Sequence, residues 1–441
     1  MNFDVYGQWN FKNNPFTIKA LSSDEIGNDL FAGREEEIKK FLRRLYNAPQ
    51  IVTVEGDAGI GKTSLVNVGV FRATLKHYND RKSPLVKDNP LFVSCNKSFQ
   101  LSQDIHYMNF IEEVMAGIAQ TIILHKDHFH KLGIKLPKNL DEVDKWMNSP
   151  SNSSYHGTIG IPFAQIGYGK TYETNTASGF EKSGLQEIVT NWLKQMFPEN
   201  NAGGIVCIID NLELLEKSVT ARKVIENLRD TLLNIQGIRW VFCGSLGIVT
   251  SILSSPRLEG VLHEPIEVTG ISRTLLKDVL QKRIDKYKQN DEYYLPITVG
   301  SFTLLYDILK NNLRNALKFA NDYCLWTADT DQKPIMKDEK EDLFIDWVIE
   351  KSKKYKTEIE KQIKPASYKL FTDVLQLGDS FAFSDFEICG FKNQQSYKNC
   401  IQELETVGLV VSVMDENDNR RKSIQITPKG WFVSHAISTQ V

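Results

Sequence analysis

Net charge of one sign is the first thing this chain lacks. Its 441 residues carry 53 Lys+Arg against 55 Asp+Glu, a formal −2. That balance excludes a surface coated in basic charge for nucleic acid, though not a local basic patch. Paired cysteines are also missing. Cys95, Cys207, Cys243, Cys324, Cys389 and Cys400 are scattered, form no C-x-x-C, and in several cases sit in apolar runs. Reduced, buried thiols are expected rather than disulfides or zinc ligands. No stretch reaches the ~18–20 apolar residues that span a bilayer, so no membrane partner is expected. The opening MNFDVYGQWNFKNNPF has no charged segment followed by an apolar one. No signal peptide is expected from it, and the cytoplasm is the expected location. A repeat of fixed period is absent as well. What remains is a chain long enough for two or three domains, with enough apolar residues to fill their cores.

The most informative stretch is 51-IVTVEGDAGIGKTSLVNVGVF-71. An apolar strand enters a turn of small residues and leaves through Gly-Lys-Thr into a helix. Gly56-Asp57-Ala58-Gly59-Ile60-Gly61-Lys62-Thr63 fits G-x-x-x-x-G-K-[ST] in the strand–loop–helix context the motif requires. Glycines let backbone N–H groups turn inward around an anion, and the helix N-terminus adds partial positive charge. Lys62 is placed to reach the β and γ phosphates, and the Thr63 hydroxyl to complete a Mg²⁺ shell. These eight residues, with Ser64 in the first helical turn, are the candidate ATP-binding residues.

Mg²⁺ needs a second protein anchor, which a strand ending in a carboxylate supplies. The run 205-IVCIID-210 makes Asp210 that candidate, with Thr63 as its partner at the metal. The following residue is Asn211. The nearest acid is Glu213, which reads equally as a water-polarising group and as a solvated helix-start acid. Ser245 closes the strand 238-IRWVFCGS-245 and reads as a γ-phosphate sensor or as a plain strand end. Arg257, before the next strand, reads as a finger for a neighbouring subunit or as a surface arginine.

Buried strands at 51–56, 91–96, 205–210, 238–245 and 265–270 alternate with helical patterns. The expected fold is therefore α/β, a doubly wound parallel sheet. Residues 1–27 read as an N-terminal segment, mixed and loop-like like the few residues that follow. Residues 28–270 read as the P-loop core, 271–330 as a helical lid and 342–441 as a last unit beyond a charged linker. Within the core, 149–180 is rich in Ser, Gly, Asn and Tyr and reads as an inserted hairpin or loop. The last unit pairs a helix at 395–407 with a hairpin, 409–414 and 423–427, a winged-helix pattern.

FAGREEEIKKFL, VTVEGDAGIGKTSL, IVCIIDNLE, WVFCGS and a helical lid together resemble the AAA+/STAND branch of P-loop ATPases, over roughly residues 28–325. The resemblance implies that Phe31, Gly33 and Arg34 border the adenine. The segment 310-KNNLRNALKFAND-322 looks like the sensor 2 helix of origin-initiator-type ATPases, which makes Arg314 a γ-phosphate contact. Asn211 stands where the AAA+ pattern usually has Glu, and D-N-L-E is closer to the STAND and NACHT pattern.

The candidate recognition helix offers Gln394, Gln395, Lys398, Asn399 and Gln402 to base edges or phosphate. Residues 332–441, however, hold 16 Lys+Arg against 17 Asp+Glu, so no basic stripe marks the unit. DNA and a protein partner stay open. The leading expectation is an ATPase switch whose nucleotide state controls homo-oligomerisation and engagement of DNA or an effector protein. Such switches resemble those regulating transposition, antiphage defence or other stress responses. The alternatives are a DNA-binding initiator or loader ATPase and a non-enzymatic scaffold stabilised by nucleotide.

Overall fold

Aliphatic runs with no polar alternation form strands that are covered on both faces, which a parallel sheet provides. The computed structural model describes residues 3–47, 51–80, 89–101, 107–147, 154–155, 170–171, 184–199, 201–212, 223, 225–247, 257–258, 260–378, 380–414 and 422–439. The N-terminal part holds helices α1 (Val5–Gln8), α2 (Glu25–Leu30) and α3 (Glu35–Tyr46). The core follows as β1 (Val52–Glu55), α4 (Lys62–Asp80), β2 (Leu91–Ser94), α5 (Tyr107–Leu124), α6 (Lys126–Lys131), α7 (Leu140–Met147), β3 (Ser154–Tyr155), β4 (Lys170–Thr171), α8 (Leu185–Met196), β5 (Gly203–Ile209), β6 (Ile238–Gly244) and β7 (Ile266–Glu267).

Five strands form one parallel sheet in the order β2-β5-β6-β1-β7. Side chains alternate across it, as the two-residue strand period requires. Ile205, Cys207 and Ile209 pack with α5 and α8 on one face. Val206 and Ile208 join Val52, Val54, α3 and α4 on the other. On that second face α3 and α4 approach so closely that a Cβ on Gly69 would lie 2.5 Å from Phe41 Cδ1. In the expected insertion, Ser154–Tyr155 and Lys170–Thr171 pair antiparallel, and the rest of 149–180 lies outside the described residues.

The lid is α9 (Leu276–Tyr287), α10 (Val299–Ile308) and α11 (Leu313–Asp329). Beyond it come α12 (Lys337–Glu360), α13 (Pro365–Leu377), β8 (Ser380–Ala382), α14 (Gln394–Thr406), β9 (Val410–Met414), β10 (Lys422–Ile426) and α15 (Pro428–Ser438). The three strands form an antiparallel sheet in the order β8-β10-β9. This is the C-terminal winged-helix arrangement that the sequence pattern implies. The charged stretch read as a linker is partly helix, because α12 already begins at Lys337.

The N-terminal segment differs from the expected loop. Tyr6, Trp9, Phe11 and Phe16 are buried in one apolar cluster with the lid helices and the C-terminal unit. Tyr6 Oη and Asn14 Nδ2 both donate to Asn321 Oδ1, at 2.8 and 2.6 Å, and Lys12 N donates to Tyr287 O at 2.6 Å. Its four buried aromatics have no period, so only the partner surface reveals their role. The cysteines are all free thiols, five of them buried. Among the described residues no helix is long and apolar enough to cross a membrane.

Candidate nucleotide site

The loop after β1 turns on glycines for steric reasons. Gly59 has φ +80°, and a Cβ there would lie 3.0 Å from Asn312 Oδ1 and 3.1 Å from Arg314 Cβ. The lid thus lies directly on the loop, and Asn312 Nδ2 donates to Ala58 O at 2.8 Å. Asn312 also caps α11, its Oδ1 accepting from Asn315 N. It follows two residues in left-handed conformation, Lys310 and Asn311, which turn α10 into α11.

Lys62 is buried, and its Nζ donates to Gly56 O at 2.6 Å and Asp57 O at 3.2 Å. Thr63 Oγ1 donates to Asp210 Oδ2 at 2.7 Å across the sheet edge. The second oxygen of Asp210 accepts from Asn211 N at 2.9 Å. Asn211 takes the left-handed conformation at the strand end, with φ 56°. These groups meet at a cavity of about 290 Å³ lined by Gly59, Lys62, Thr63, Asp210, Asn211 and Arg314.

A smaller chamber of about 50 Å³ adjoins it, lined by Phe31, Arg34, Ile60, Ile271 and Val279. Arg34 is buried. Its Nη2 donates to Ile60 O at 2.9 Å and its Nη1 lies 3.6 Å from Glu37. Burial lowers its pKa below the ordinary value, opposed by Glu37. Gly33 lies outside this chamber, and a Cβ there would sit 2.9 Å from Ile271 Cγ2.

Two expected residues stand apart. Ser245 is buried just beyond Gly244, whose carbonyl accepts from Gly56 N, and it does not line either chamber. Arg257 is exposed, lies within 4.0 Å of Glu226 and Asp230, and does not line the cavity. Glu213 lies outside the described residues. Sequence reasoning missed the strap Thr17–Ala20, which lines the larger chamber, and Arg283, which lines both. The available signal for Arg283 was its position. It falls on the apolar face of α9 with Val279, Leu280 and Ile284, where an arginine is out of place.

Among solved structures, the Aeropyrum pernix ORC1 protein in complex with DNA is 14% identical to this chain. That match covers 93% of this chain and 95% of the other, with a TM-score of 0.42. The Aeropyrum pernix ORC2 protein in its ADPNP–ADP complexes is 11% identical, covers 95% and 94%, and has a TM-score of 0.46. Cdc6p from Pyrobaculum aerophilum is 13% identical, covers 98% and 99%, and has a TM-score of 0.39. No curated protein matches. The family model of novel STAND NTPase 1 matches residues 22–290, more than half of the chain. With its P-loop, strand-end carboxylate and lid arranged as above, the chain belongs to the novel STAND NTPase 1 family.

Proposed function

We propose that this P-loop NTPase is an ATP-driven switch in which ATP with Mg²⁺ is held between core and lid, and lid closure controls self-assembly. The observation that carries this reading is the convergence of Lys62, the Thr63–Asp210 pair and Arg314 on one cavity. Lys62 and Arg314 supply cationic donors from opposite walls, and charge-assisted bonds of that kind are the strong ones. Thr63 and Asp210 supply the hard oxygen ligands that Mg²⁺ prefers. When bound, Mg²⁺ neutralises charge on the phosphate oxygens. Arg314 sits on α11, so an anion at the loop tightens the lid that Asn312 already ties to Ala58.

Asp210→Ala should therefore separate two properties. Turnover with Mg²⁺, read as phosphate release, should fall about 100-fold or more, the scale seen when one transition-state charge partner is removed. Binding of ADP in the presence of a chelator should stay within a few fold, because Asp210 is not part of the glycine loop. Equal turnover in the variant would remove Asp210 from the metal role.

Assembly is tested by particle mass with and without ATP and Mg²⁺, with and without duplex DNA, and with Lys62→Ala in parallel. The expected result is a mass increase with ATP that the variant does not show. A mass indifferent to nucleotide in both proteins would leave a nucleotide-stabilised scaffold as the better account. The DNA arm is motivated by α14, whose Gln394, Lys398 and Gln402 are exposed while Gln395 Nε2 bonds Asn399 Oδ1 at 3.0 Å. Assembly that requires DNA would favour a loader-type ATPase.

A further inference from the structure

We propose that Arg283 is a nucleotide-contacting residue that also clasps the N-terminal strap against the cavity, so that a bound phosphate chain and the strap hold each other in place. The inference rests on the nucleotide reading above. Arg283 is only 5% exposed, in the middle of α9. Its Nη1 donates to Pro15 O and to Thr17 O, both at 3.1 Å. Among the described residues its Nε has no partner. No carboxylate among the described residues pairs with it. Arg34, the neighbouring buried arginine, has Glu37.

A buried guanidinium without a counter-anion is costly, and proteins keep one only where something compensates the charge. Burial alone pushes the Arg283 pKa down to about 10, opposed only by Tyr287. The side chain lies where the two chambers meet, and it lines both. One chamber holds Lys62 and Thr63, and the other Phe31 and Arg34. A ligand with an anion between a ring and a phosphate terminus fits that junction, which is the chemistry of a nucleoside diphosphate or triphosphate. The same guanidinium fixes Pro15 and Thr17, and beyond them Thr17–Ala20 form a wall of the larger chamber. The far end of the strap is tied by Leu21 N to Ser64 Oγ at 3.0 Å, and by Asn67 Nδ2 to Leu21 O at 2.8 Å. Ser64 follows directly on the Lys-Thr of the loop.

The test compares ADP affinity of the unmutated protein, Arg283→Lys and Arg283→Gln. It also follows tryptic cleavage after Lys19, which is exposed on the strap. Arg283→Gln should weaken ADP binding about 10- to 100-fold, the range for a lost charge-assisted bond. Arg283→Lys, which keeps the charge, should lose less. Saturating ADP should slow cleavage after Lys19 severalfold in the unmutated protein and much less in Arg283→Gln. The proposal is overturned if Arg283→Gln binds ADP as tightly as the unmutated protein, or if Lys and Gln lose affinity equally. If Arg283→Gln does not fold, the unmutated protein still decides: cleavage after Lys19 that ignores saturating ADP overturns the proposal. A protein that binds no ADP at all fails the nucleotide reading itself, and the unmutated arm shows this separately.

Discussion

Lys62→Ala should lower the affinity for ADP and for ATP with Mg²⁺ about 100-fold or more, since two charged hydrogen bonds of ~1.5–3 kcal/mol each are lost. The fold should survive. Among the described residues Lys62 Nζ bonds only the carbonyls of Gly56 and Asp57, and no carboxylate there is stranded when it goes. The glycine turns, the Thr63–Asp210 bond and the Asn312–Ala58 bond do not depend on it. Calorimetric titration with ADP reads the affinity, and a thermal melt without ligand reads the fold. Affinity within threefold of the unmutated protein would mean the loop is not the phosphate cradle, whatever its sequence.

Phe432→Ala should cost about 3–5 kcal/mol of stability, the range for deleting a buried ring. Phe432 is fully buried on α15, yet its neighbours come from two other parts of the chain. Its ring centroid lies 4.8 Å from that of Phe319 on the lid helix α11. It lies 6.2 Å from Trp347 and 6.1 Å from Tyr355, both on α12. Lid and winged-helix unit therefore share one core, with the N-terminal aromatics on the same cluster. Removing the ring loosens the joint as well as the core, so one cooperative urea transition should broaden or split in two. A loss below about 1 kcal/mol with a single sharp transition would show that the site collapses around the gap and that the joint does not depend on this ring.

The parts legible in the sequence were those written locally. The glycine loop and the strand ending at Asp210 declare themselves through residue type and spacing, and the fold brings them within hydrogen-bond reach. The winged-helix hairpin, expected at 409–414 and 423–427, forms at Val410–Met414 and Lys422–Ile426. Strand ends were less informative. They place Ser245 and Asp210 at one edge of the sheet, but only side-chain direction decides which one lines the cavity. Arg314 rested on family resemblance, and the lid does carry it onto Gly59. The strap and Arg283 were illegible because their meaning is tertiary. Asn-Asn-Pro-Phe reads as a turn until Asn14 is seen bonded to Asn321, more than three hundred positions away.

Asn312 uses both ends of a single amide. Its oxygen holds the first turn of α11, and its nitrogen holds the carbonyl of Ala58. A lid that swings away with the cap intact gives up Ala58. A side chain that stays with Ala58 leaves the helix start uncapped, at a cost of about 1 kcal/mol. The seated lid keeps both bonds, and any departure from the loop loses one of them, so a single amide couples the start of the lid helix to the glycine loop.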